Sequence, residues 1–364
     1  MFNGFYKNKR VLVTGHTGFK GSWLALWLHE LGANVNGFAL PPNTHPNHFE
    51  LIGLKDLVCH IEGNIRDLKT VKNVFDIAKP EFVFHLAAQP LVRESYDDPK
   101  TTFDTNIGGT VNILEAIRQC ETVKAAVVVT SDKCYENKEW IWGYREDDPL
   151  GGHDPYSASK GAAEIVCASY RRSYFDQNGQ SPHLGLATAR AGNIIGGGDW
   201  AKDRIIPDCI RSLTADKPII IRNPQATRPW QHVLDPLCGY LLLAARLLDN
   251  PEKFSGAWNF GPQTSDQITV NELANRFING WGSGTIQSPT VKQAPHEARL
   301  LHLNIDKAVF DLKWQPVLDS STAIDWTVDW YKSWQQSRDA LQNLSVCQIK
   351  KFTDLAATKG QILF

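Results

Sequence analysis

The sequence predicts a doubly wound α/β fold, in which helices cover both faces of a parallel sheet, followed by a smaller C-terminal lobe. Short apolar strands alternate with amphipathic helical patterns over the first half of the chain, and this alternation is typical of parallel sheets. A glycine-rich turn directly follows the first of these strands. Beyond Arg190 the alternation ends, and prolines, tryptophans and a run of three glycines from Gly196 indicate loops and short elements.

The predicted strands are short runs of β-branched and other apolar residues. They cover residues 11–14, 34–39, 57–62, 82–85, 125–130 and 184–190. A further apolar run at 257–260 is expected to return to the same sheet. From about residue 341 we find no pattern that indicates an element.

A glycine-rich turn and a helix follow the first strand. Gly15, Gly18 and Gly21 have the spacing Gly-x-x-Gly-x-x-Gly, and glycines at such a turn let the backbone approach a pyrophosphate at a helix N-terminus. The helix is indicated by apolar residues at three- and four-residue steps, namely Trp23, Leu24, Trp27, Leu28 and Leu31. A plain glycine-rich turn would share the spacing, but the position after the first strand favours a dinucleotide site of the Rossmann type.

These patterns divide the chain into three parts. Residues 1–190 are expected to form the Rossmann domain that binds the dinucleotide, with segments near 228–262 returning to it. Residues 191–340 are expected to form a discontinuous substrate-binding lobe, and residues 341–364 a C-terminal tail.

The composition argues against several classes of protein. The chain of 364 residues is long enough for a large buried core, and its net charge of −1 offers no basic field for nucleic acid or an anionic membrane. The longest apolar run, residues 237–245, is far shorter than the about 20 residues of a membrane span, and we expect no signal peptide. Seven cysteines without Cys-x-x-Cys or Cys/His ligand spacing indicate reduced thiols, a cytoplasmic location and no metal site.

Two sets of proton-handling residues point to an enzyme. Tyr156 and Lys160 are four residues apart and share one face of a helix, so the ammonium is expected to lower the pKa of the phenol and make it a base for a sugar hydroxyl. Ser131, Asp132 and Lys133 end the strand before it. Oxidation of an alcohol needs only the first set, so the second set indicates chemistry beyond oxidation.

These motifs together resemble the extended short-chain dehydrogenase/reductase family. The resemblance rests on the glycine turn, the stretch His85-Leu86-Ala87-Ala88, Asn106 and the Tyr156/Lys160 pair, and it spans residues 10 to about 335. The Ser131-Asp132-Lys133 triplet, Gly192-Asn193 with residues 196–200, and residues 228–233 are similar to the nucleotide-sugar 4,6-dehydratases of that family, in particular to those that act on CDP-glucose.

The resemblance implies a role for each catalytic candidate. Tyr156 would take the proton of the sugar 4-hydroxyl, Lys160 would hold the nicotinamide ribose, and Ser131 would hydrogen-bond the forming ketone. Asp132 would protonate the departing C6 hydroxyl, which requires a protonated carboxyl. Lys133 would be the C5 base, although the related dTDP-glucose dehydratases carry glutamate at its position. The alternative is that Lys133 pairs with Asp132 or with a phosphate.

The resemblance also implies NAD as the cofactor and CDP-glucose as the substrate. The sequence near Ala39, at the end of the second strand, contains neither the acidic residue that would favour NAD nor an arginine that would favour NADP. The implied substrate contacts are Asn193, Arg228 and Arg299, with surface ion pairing as the alternative for Arg299. The implied cofactor contacts are Gly15, His16, Thr17, Gly18, Phe19, Gly21, Asn64, Ile65, Leu86, Ala87, Ala88, Asn106, Tyr156 and Lys160.

Other functions remain open at this point. A nucleotide-sugar 4-epimerase, a 4,6-dehydratase for another nucleotide sugar, or a non-catalytic NAD-binding protein would share the fold. The family resemblance further implies a homodimer or homotetramer built from helices near 101–119 and 157–174. It also implies a place in the synthesis of dideoxysugars of bacterial surface polysaccharide, such as lipopolysaccharide O-antigen.

Overall fold

The centre of the molecule is a parallel sheet of seven strands in the part of the chain that the structure describes. The structure is a computed structural model, and it describes residues 2–175, 184–288 and 300–361. The strands run in the order β11-β6-β5-β4-β1-β2-β3, and every pairing is parallel. They are β1 (Arg10–Thr14), β2 (Asn34–Ala39), β3 (Cys59–Glu62), β4 (Phe82–His85), β5 (Ala125–Val129), β6 (Gly185–Ala191) and β11 (Gly256–Phe260). The predicted fold class is confirmed, as is the return of the run at 257–260 to the sheet.

Helices cover both faces of this sheet. Other helices pack on these helices or on the short strand pairs beyond Arg190. In chain order the described helices are α1 (Phe19–Glu30), α2 (His48–Leu51), α3 (Leu54–Leu57), α4 (Leu68–Ala78), α5 (Val92–Asp97), α6 (Pro99–Phe103), α7 (Gly109–Gln119), α8 (Pro155–Tyr170), α9 (Ile205–Thr214), α10 (Leu234–Asp249), α11 (Pro251–Phe254), α12 (Val270–Trp281), α13 (Ser320–Gln336) and α14 (Leu341–Thr358). None of the described helices is long and apolar enough to cross a bilayer.

Short strand pairs build the lobe beyond Arg190. β7 (Ile194–Ile195) pairs in parallel with β10 (Gln231–His232), and β8 (Ile219–Ile220) pairs in parallel with β13 (Ile286–Gln287). β9 (Thr227–Arg228) and β12 (Ile268–Thr269) are antiparallel.

The third strand is shorter than the sequence predicts. The expected strand at 57–62 begins only at Cys59, because the helical turn α3 occupies Leu54–Leu57. Gly53 precedes this turn in a left-handed conformation, with φ of 61°, which glycine adopts without a steric cost. The apolar Leu57 therefore belongs to the helical turn that packs under α1 and not to the sheet.

The segment after Leu341, in which no element is predicted, forms α14 and packs against α1. Trp23, Leu24, Leu26, Trp27 and Leu28 of α1 are all fully buried, and a helix that is apolar on every side must be covered on every side. The ring of Phe352 on α14 meets that of Trp27 edge-on, with centroids 5.6 Å apart. α14 thus covers the side of α1 that the sheet leaves open.

The strand order places a binding cleft at the C-terminal ends of β1 and β4. The chain moves outward from β1 through β2 to β3, and then crosses to the other side of β1 to form β4. The loops that follow β1 and β4 therefore leave the sheet in opposite directions, and ligands of open α/β sheets bind in the crevice that results.

Candidate active site

The glycine turn after β1 forms a close-packed backbone cradle at the start of α1. Gly15 has φ of +77°, and a Cβ on it would lie 2.6 Å from the backbone nitrogen of Ala87 in the loop after β4. A Cβ on Gly21 would lie 2.1 Å from the carbonyl oxygen of Gly15. Gly18, the residue before α1, is exposed. The cradle thus leaves backbone N–H groups open at a helix N-terminus, which fits the pyrophosphate of a dinucleotide.

The side chains of His16 and Thr17 tie this turn to the second and third strands. His16 Nε2 and His60 Nδ1 are 2.7 Å apart, and a Cβ on Gly37 would fall 2.3 Å from the His16 ring. Burial, with His60 nearby, lowers the pKa of His16 to about 3, so its ring is neutral. Thr17 donates its hydroxyl hydrogen to the carbonyl of Leu40 at 2.8 Å. The His16 side chain is thus paired with His60, and its contact with the cofactor stays a prediction.

An open depression of about 650 Å³ lies where the adenine contact is expected. Ile65 is buried against Gly109, and Asn64 accepts a hydrogen bond from the backbone N–H of Arg66 at 3.0 Å. Polar and apolar atoms contribute about equally to the wall of the depression, which consists of Asn64, Arg66, Asp67, Asp104, Gly108, Val111 and Asn112. Asn64 thus lines a depression beside the end of β3, and the adenine contact of Asn64 and Ile65 stays a prediction.

Asn106 braces the loop after β4 against the catalytic helix. Its Oδ1 accepts from the N–H of Gln89 at 2.8 Å, and its Nδ2 donates to the carbonyl of Gln89 at 3.1 Å and to Ser159 Oγ at 2.8 Å. Leu86, Ala87 and Ala88, just before Gln89, are half-buried along the cleft. Asn106 thus positions the loop that carries these three residues.

The structure brings Ser131, Asp132 and Tyr156 together. Ser131 Oγ donates to Asp132 Oδ1 at 2.9 Å, and Ser131 lies close enough to the Tyr156 phenol to act against the rise of its pKa. α8 starts at Pro155 because Asp154 caps it, accepting from the N–H of Ser157 at 3.0 Å. This cap places Tyr156 in the first turn of α8, beside the end of β5, where Ser131 follows.

The pKa of Tyr156 departs from the sequence-based expectation. Burial raises it to about 12, although the hydrogen bond with Ser131 acts in the opposite direction. Lys160, which is expected to lower it, instead directs its Nζ to the carbonyl of Val129 at 3.4 Å, and burial lowers the pKa of Lys160 to about 8. The expected lowering is therefore wrong for this state of the site, because the desolvation of the phenol outweighs the charges around it.

Asp132 has the environment of a general acid. Burial raises its pKa, against the opposing effects of Lys133, Ser131 and Arg228. A Cβ on Gly192 would lie 3.0 Å from Asp132 Oδ2, so glycine at that position keeps the space beside the carboxyl clear. Lys133 is half-buried next to it.

A buried ion pair fixes α8 to the sheet. Arg190 Nη2 on β6 donates to Glu164 Oε2 at 2.8 Å, and each side chain is 3% exposed. Glu164 also accepts the hydroxyl hydrogens of Thr130 and Thr188. Burial raises the pKa of Glu164, but Arg190 and these hydroxyls outweigh it and hold that pKa below its usual value. Glu164 lies one helical turn beyond Lys160, so the pair positions the helix face that carries Tyr156 and Lys160.

Two of the predicted substrate contacts, Asn193 and Arg228, belong to the segment beyond Arg190. The backbone of Asn193 accepts from the N–H of Gln231 at 3.0 Å, which ties β7 to β10. Arg228 Nη1 donates to the carbonyl of Thr227 at 3.0 Å, and its charge acts on Asp132. Arg299 lies outside the described residues. Within residues 2–175, 184–288 and 300–361 no group of three or more His, Cys, Asp or Glu side chains could hold a metal ion.

Sequence reasoning missed three residues of the site. Arg204, paired with Asp199 at 3.0 Å, acts on the charge of both Tyr156 and Lys20. Lys20 and Tyr240 approach the same cluster from α1 and α10. For Lys20, a charged residue inside the glycine turn was the available signal. Arg204 and Tyr240 carry no local signal, because only the fold brings them to the site.

Comparisons with known proteins agree with this geometry. The model of the NAD dependent epimerase/dehydratase family matches residues 11–259. The chain is 48% identical to the CDP-glucose 4,6-dehydratase of Salmonella typhimurium over 96% of this chain and 97% of that protein. It is 24% identical to the CDP-paratose 2-epimerase of Salmonella typhi over 89% of this chain and 99% of that protein.

Solved structures show the same fold. An epimerase from Methanothermobacter thermautotrophicus superposes with a TM-score of 0.79 at 24% identity, covering 93% of this chain and 97% of the other. The dTDP-glucose 4,6-dehydratase of Bacillus anthracis, solved in complex with NAD, gives a TM-score of 0.73 at 21% identity, covering 92% and 99%. At these identities the likeness concerns the fold alone.

Proposed function

The chain belongs to the NAD-dependent epimerase/dehydratase family, and we propose that it dehydrates CDP-D-glucose to CDP-4-keto-6-deoxy-D-glucose with NAD as a recycled cofactor. It is thus an NAD-dependent hydro-lyase. The observation that carries the proposal is the buried carboxyl of Asp132, with its raised pKa, hydrogen-bonded to the Ser131 that also contacts Tyr156. Simple oxidation or epimerisation at C4 has no use for an acid there, whereas loss of the C6 hydroxyl needs one.

The residues of the site divide the proton transfers among them. Tyr156 takes the proton of the 4-hydroxyl, which requires that binding of the cofactor and the substrate lower the pKa of its phenol from about 12. Ser131 donates a hydrogen bond to the oxygen as the ketone forms. The ketone acidifies the C5 hydrogen, Lys133 removes it, and Asp132 protonates the departing C6 hydroxyl. Lys133 would return its proton to C5, and bound NAD would supply a store for the hydride that moves from C4 to C6, with no net change in the cofactor.

The cofactor would be held along the C-terminal edge of the sheet. The cradle of Gly15, Gly18 and Gly21 would bind the pyrophosphate, and the depression at Asn64 and Ile65 would take the adenine. His16, Thr17 and Phe19 would complete the turn. Leu86, Ala87 and Ala88 would line the adenosine side, and Lys160 would hold the nicotinamide ribose. Asn193, Arg228 and Arg299 would bind the substrate, where guanidinium groups suit the paired oxygens of a pyrophosphate.

Isotope transfer tests the reaction. Incubation with CDP-glucose that carries deuterium at C4 should yield a 4-keto-6-deoxy product with the deuterium at C6, read by mass spectrometry and NMR. A CDP-hexose that retains its 6-hydroxyl would instead identify a 4-epimerase. No conversion of any nucleotide sugar would identify a non-catalytic NAD-binding protein.

The choice of nucleotide needs its own measurement, because no described contact reads the base. Turnover should be compared with the CDP, dTDP, GDP and UDP forms of glucose. The similarity to the Salmonella typhimurium enzyme predicts the highest kcat/KM with CDP-glucose. A higher value with another form would identify a 4,6-dehydratase for that sugar.

The substitution K133M distinguishes the proposed role of Lys133 in water loss from that of Tyr156 in C4 oxidation. K133M should still oxidise C4, seen as exchange at that carbon with labelled cofactor, but should stop water loss because the C5 base is gone. Normal product formation by K133M would show that Lys133 only pairs with Asp132 or with a phosphate.

We further propose a homodimer or homotetramer that forms through the helices near 101–119 and 157–174, with neighbouring α5, and works in the cytoplasm. Tyr96, Phe103 and Ile165 on α5, α6 and α8 are 45%, 37% and 60% exposed, and exposed apolar patches of this kind mark contact surfaces. All seven cysteines are free, as expected in a reducing compartment. The product suits the synthesis of dideoxysugars for bacterial surface polysaccharide such as O-antigen. Light scattering with I165K and wild type tests the dimer surface.

A further inference from the structure

Lys20 extends from the glycine turn into the reaction centre. It lies in the first turn of α1, directly before Gly21. Its Nζ is 6.0 Å from the centroid of the Tyr240 ring, which belongs to α10 on the other side of the cleft. Lys20 is half-buried, so its side chain lies partly in the cleft and does not extend fully into solvent, as charged residues of a first turn usually do.

The charges that face Lys20 are mostly positive. Lys160 on α8 and Arg204 before α9 repel its ammonium, while Asp132 after β5 attracts it. Burial raises the pKa of Asp132, which weakens its attraction for Lys20, and Asp199 is already paired with Arg204 at 3.0 Å. Burial, and then Lys160 and Arg204, lower the pKa of Lys20 to about 7. The centre thus holds more cations than anions, an arrangement that favours an anionic ligand.

The hydroxyl of Tyr240 indicates that a polar ligand belongs in the same space. Tyr240 is 0% exposed, and its hydroxyl has no hydrogen-bond partner among the described residues. Asp132 and Tyr156 lie within electrostatic range of it. Buried hydroxyls without a partner are rare in folded proteins, since each costs the free energy of a lost hydrogen bond.

We propose that Lys20 binds the pyrophosphate of the dinucleotide cofactor and takes up a proton from solvent when it does so. The cradle for that pyrophosphate begins five residues earlier at Gly15 and surrounds the start of α1. Two negative charges placed beside Lys20 offset the repulsion of Lys160 and Arg204 and favour its charged form. The role of Lys20 rests on the proposed function, because it takes NAD as the cofactor.

Calorimetric titration with NAD in two buffers of different ionisation enthalpy counts the protons taken up. At about pH 8 the wild type should take up most of one proton per cofactor, and its affinity should fall as the pH rises further. K20M should bind NAD and NADH about tenfold to a hundredfold more weakly at about pH 7, with the same factor for both cofactors. K20M should also take up about one proton fewer per bound cofactor than the wild type does. Lys160 is present in both proteins, so the difference in proton count belongs to Lys20.

Two further variants distinguish ligand binding from a structural role. K20R keeps the charge and cannot release a proton, so it should retain most of the affinity while taking up no proton at this position. Y240F keeps the ring and removes the hydroxyl, so it should weaken NAD binding by about threefold with the proton count unchanged. A structural role for Lys20 would leave the proton count of K20R equal to that of the wild type, and that result would overturn the proposal.

The remaining outcomes also decide the matter. Binding of NAD to K20M within twofold of the wild type would overturn the proposal. Tighter binding of NAD but not of NADH to K20M would place Lys20 against the positive nicotinamide ring instead. A loss of affinity for CDP with unchanged affinity for NAD would assign Lys20 to the substrate's pyrophosphate. If the wild type binds no NAD, the proposed function itself fails, which is a different result from all of these.

Discussion

Replacing Arg190 with methionine tests the anchor of the catalytic helix. The Arg190–Glu164 pair has an N–O distance of 2.8 Å, and both side chains are 3% exposed. R190M would leave the Glu164 carboxylate buried with only the hydroxyls of Thr130 and Thr188 as partners. Loss of one partner of a buried pair costs about 3–5 kcal/mol, a large part of the about 5–15 kcal/mol by which a typical domain is stable.

The free energy of unfolding of R190M, E164Q and the double variant should be measured in urea at neutral pH. We expect the double variant to recover part of the loss, because no charge then remains buried without a partner. R118M is the matched control, since the Arg118–Glu115 pair has an N–O distance of 2.7 Å but its side chains are 39% and 23% exposed. That control should cost less than about 1 kcal/mol. An R190M cost no larger than that of R118M would refute the reasoning.

Three further predictions concern the core, the cradle and the acid. Burial raises the pKa of Asp235 to about 7. The contribution of this carboxyl to stability is therefore fully present below its unfolded pKa and is lost as the pH rises through 7. Between about pH 4 and pH 8 the free energy of unfolding of D235N, measured in urea, should rise by up to about 4 kcal/mol relative to that of the wild type. G15A should fold with a displaced loop, because its Cβ would meet Ala87 at 2.6 Å and its φ is +77°. Its affinity for NAD, measured by calorimetry, should fall by at least about tenfold, and an unchanged affinity would show that the cradle does not bind the cofactor. Water loss should slow as the pH rises through the elevated pKa of Asp132, because the acid form is consumed, and a rate that climbs steadily with pH would argue against Asp132 as the acid.

The sequence predicted the sheet well because its strands are buried on both faces. Residues such as Val127 on β5 and Ala187 on β6 have no exposed side, so the strands read as continuous apolar runs. α14 could not be predicted, because its buried face mixes Ile349 and Phe352 with polar residues. Ser345 accepts from Trp330 Nε1 at 3.0 Å, and Gln348 donates to the carbonyl of Trp326 at 2.9 Å. Partners in another helix satisfy these polar groups, and no local pattern reveals them.

The sequence predicted the positions of site residues that residue spacing determines. It did not predict the pKa values, which depend on how deeply the fold buries each group. The four-residue step from Tyr156 to Lys160 correctly placed both on α8. The pKa of Tyr156 depends on how deeply the fold encloses the phenol, so the expected lowering was wrong. Arg204 and Tyr240 reach the site from distant segments. Only the packing of the lobe and α10 against the sheet brings them there.

A single-turnover experiment with D132N tests the central claim most directly. Asparagine keeps the shape and hydrogen-bonding oxygen of Asp132 but cannot protonate a leaving hydroxyl. After rapid mixing with CDP-glucose, the account predicts that reduced nicotinamide accumulates in absorbance while formation of the 6-deoxy product slows by about 10²–10⁴-fold. Formation of that product by D132N at the wild-type rate would contradict it.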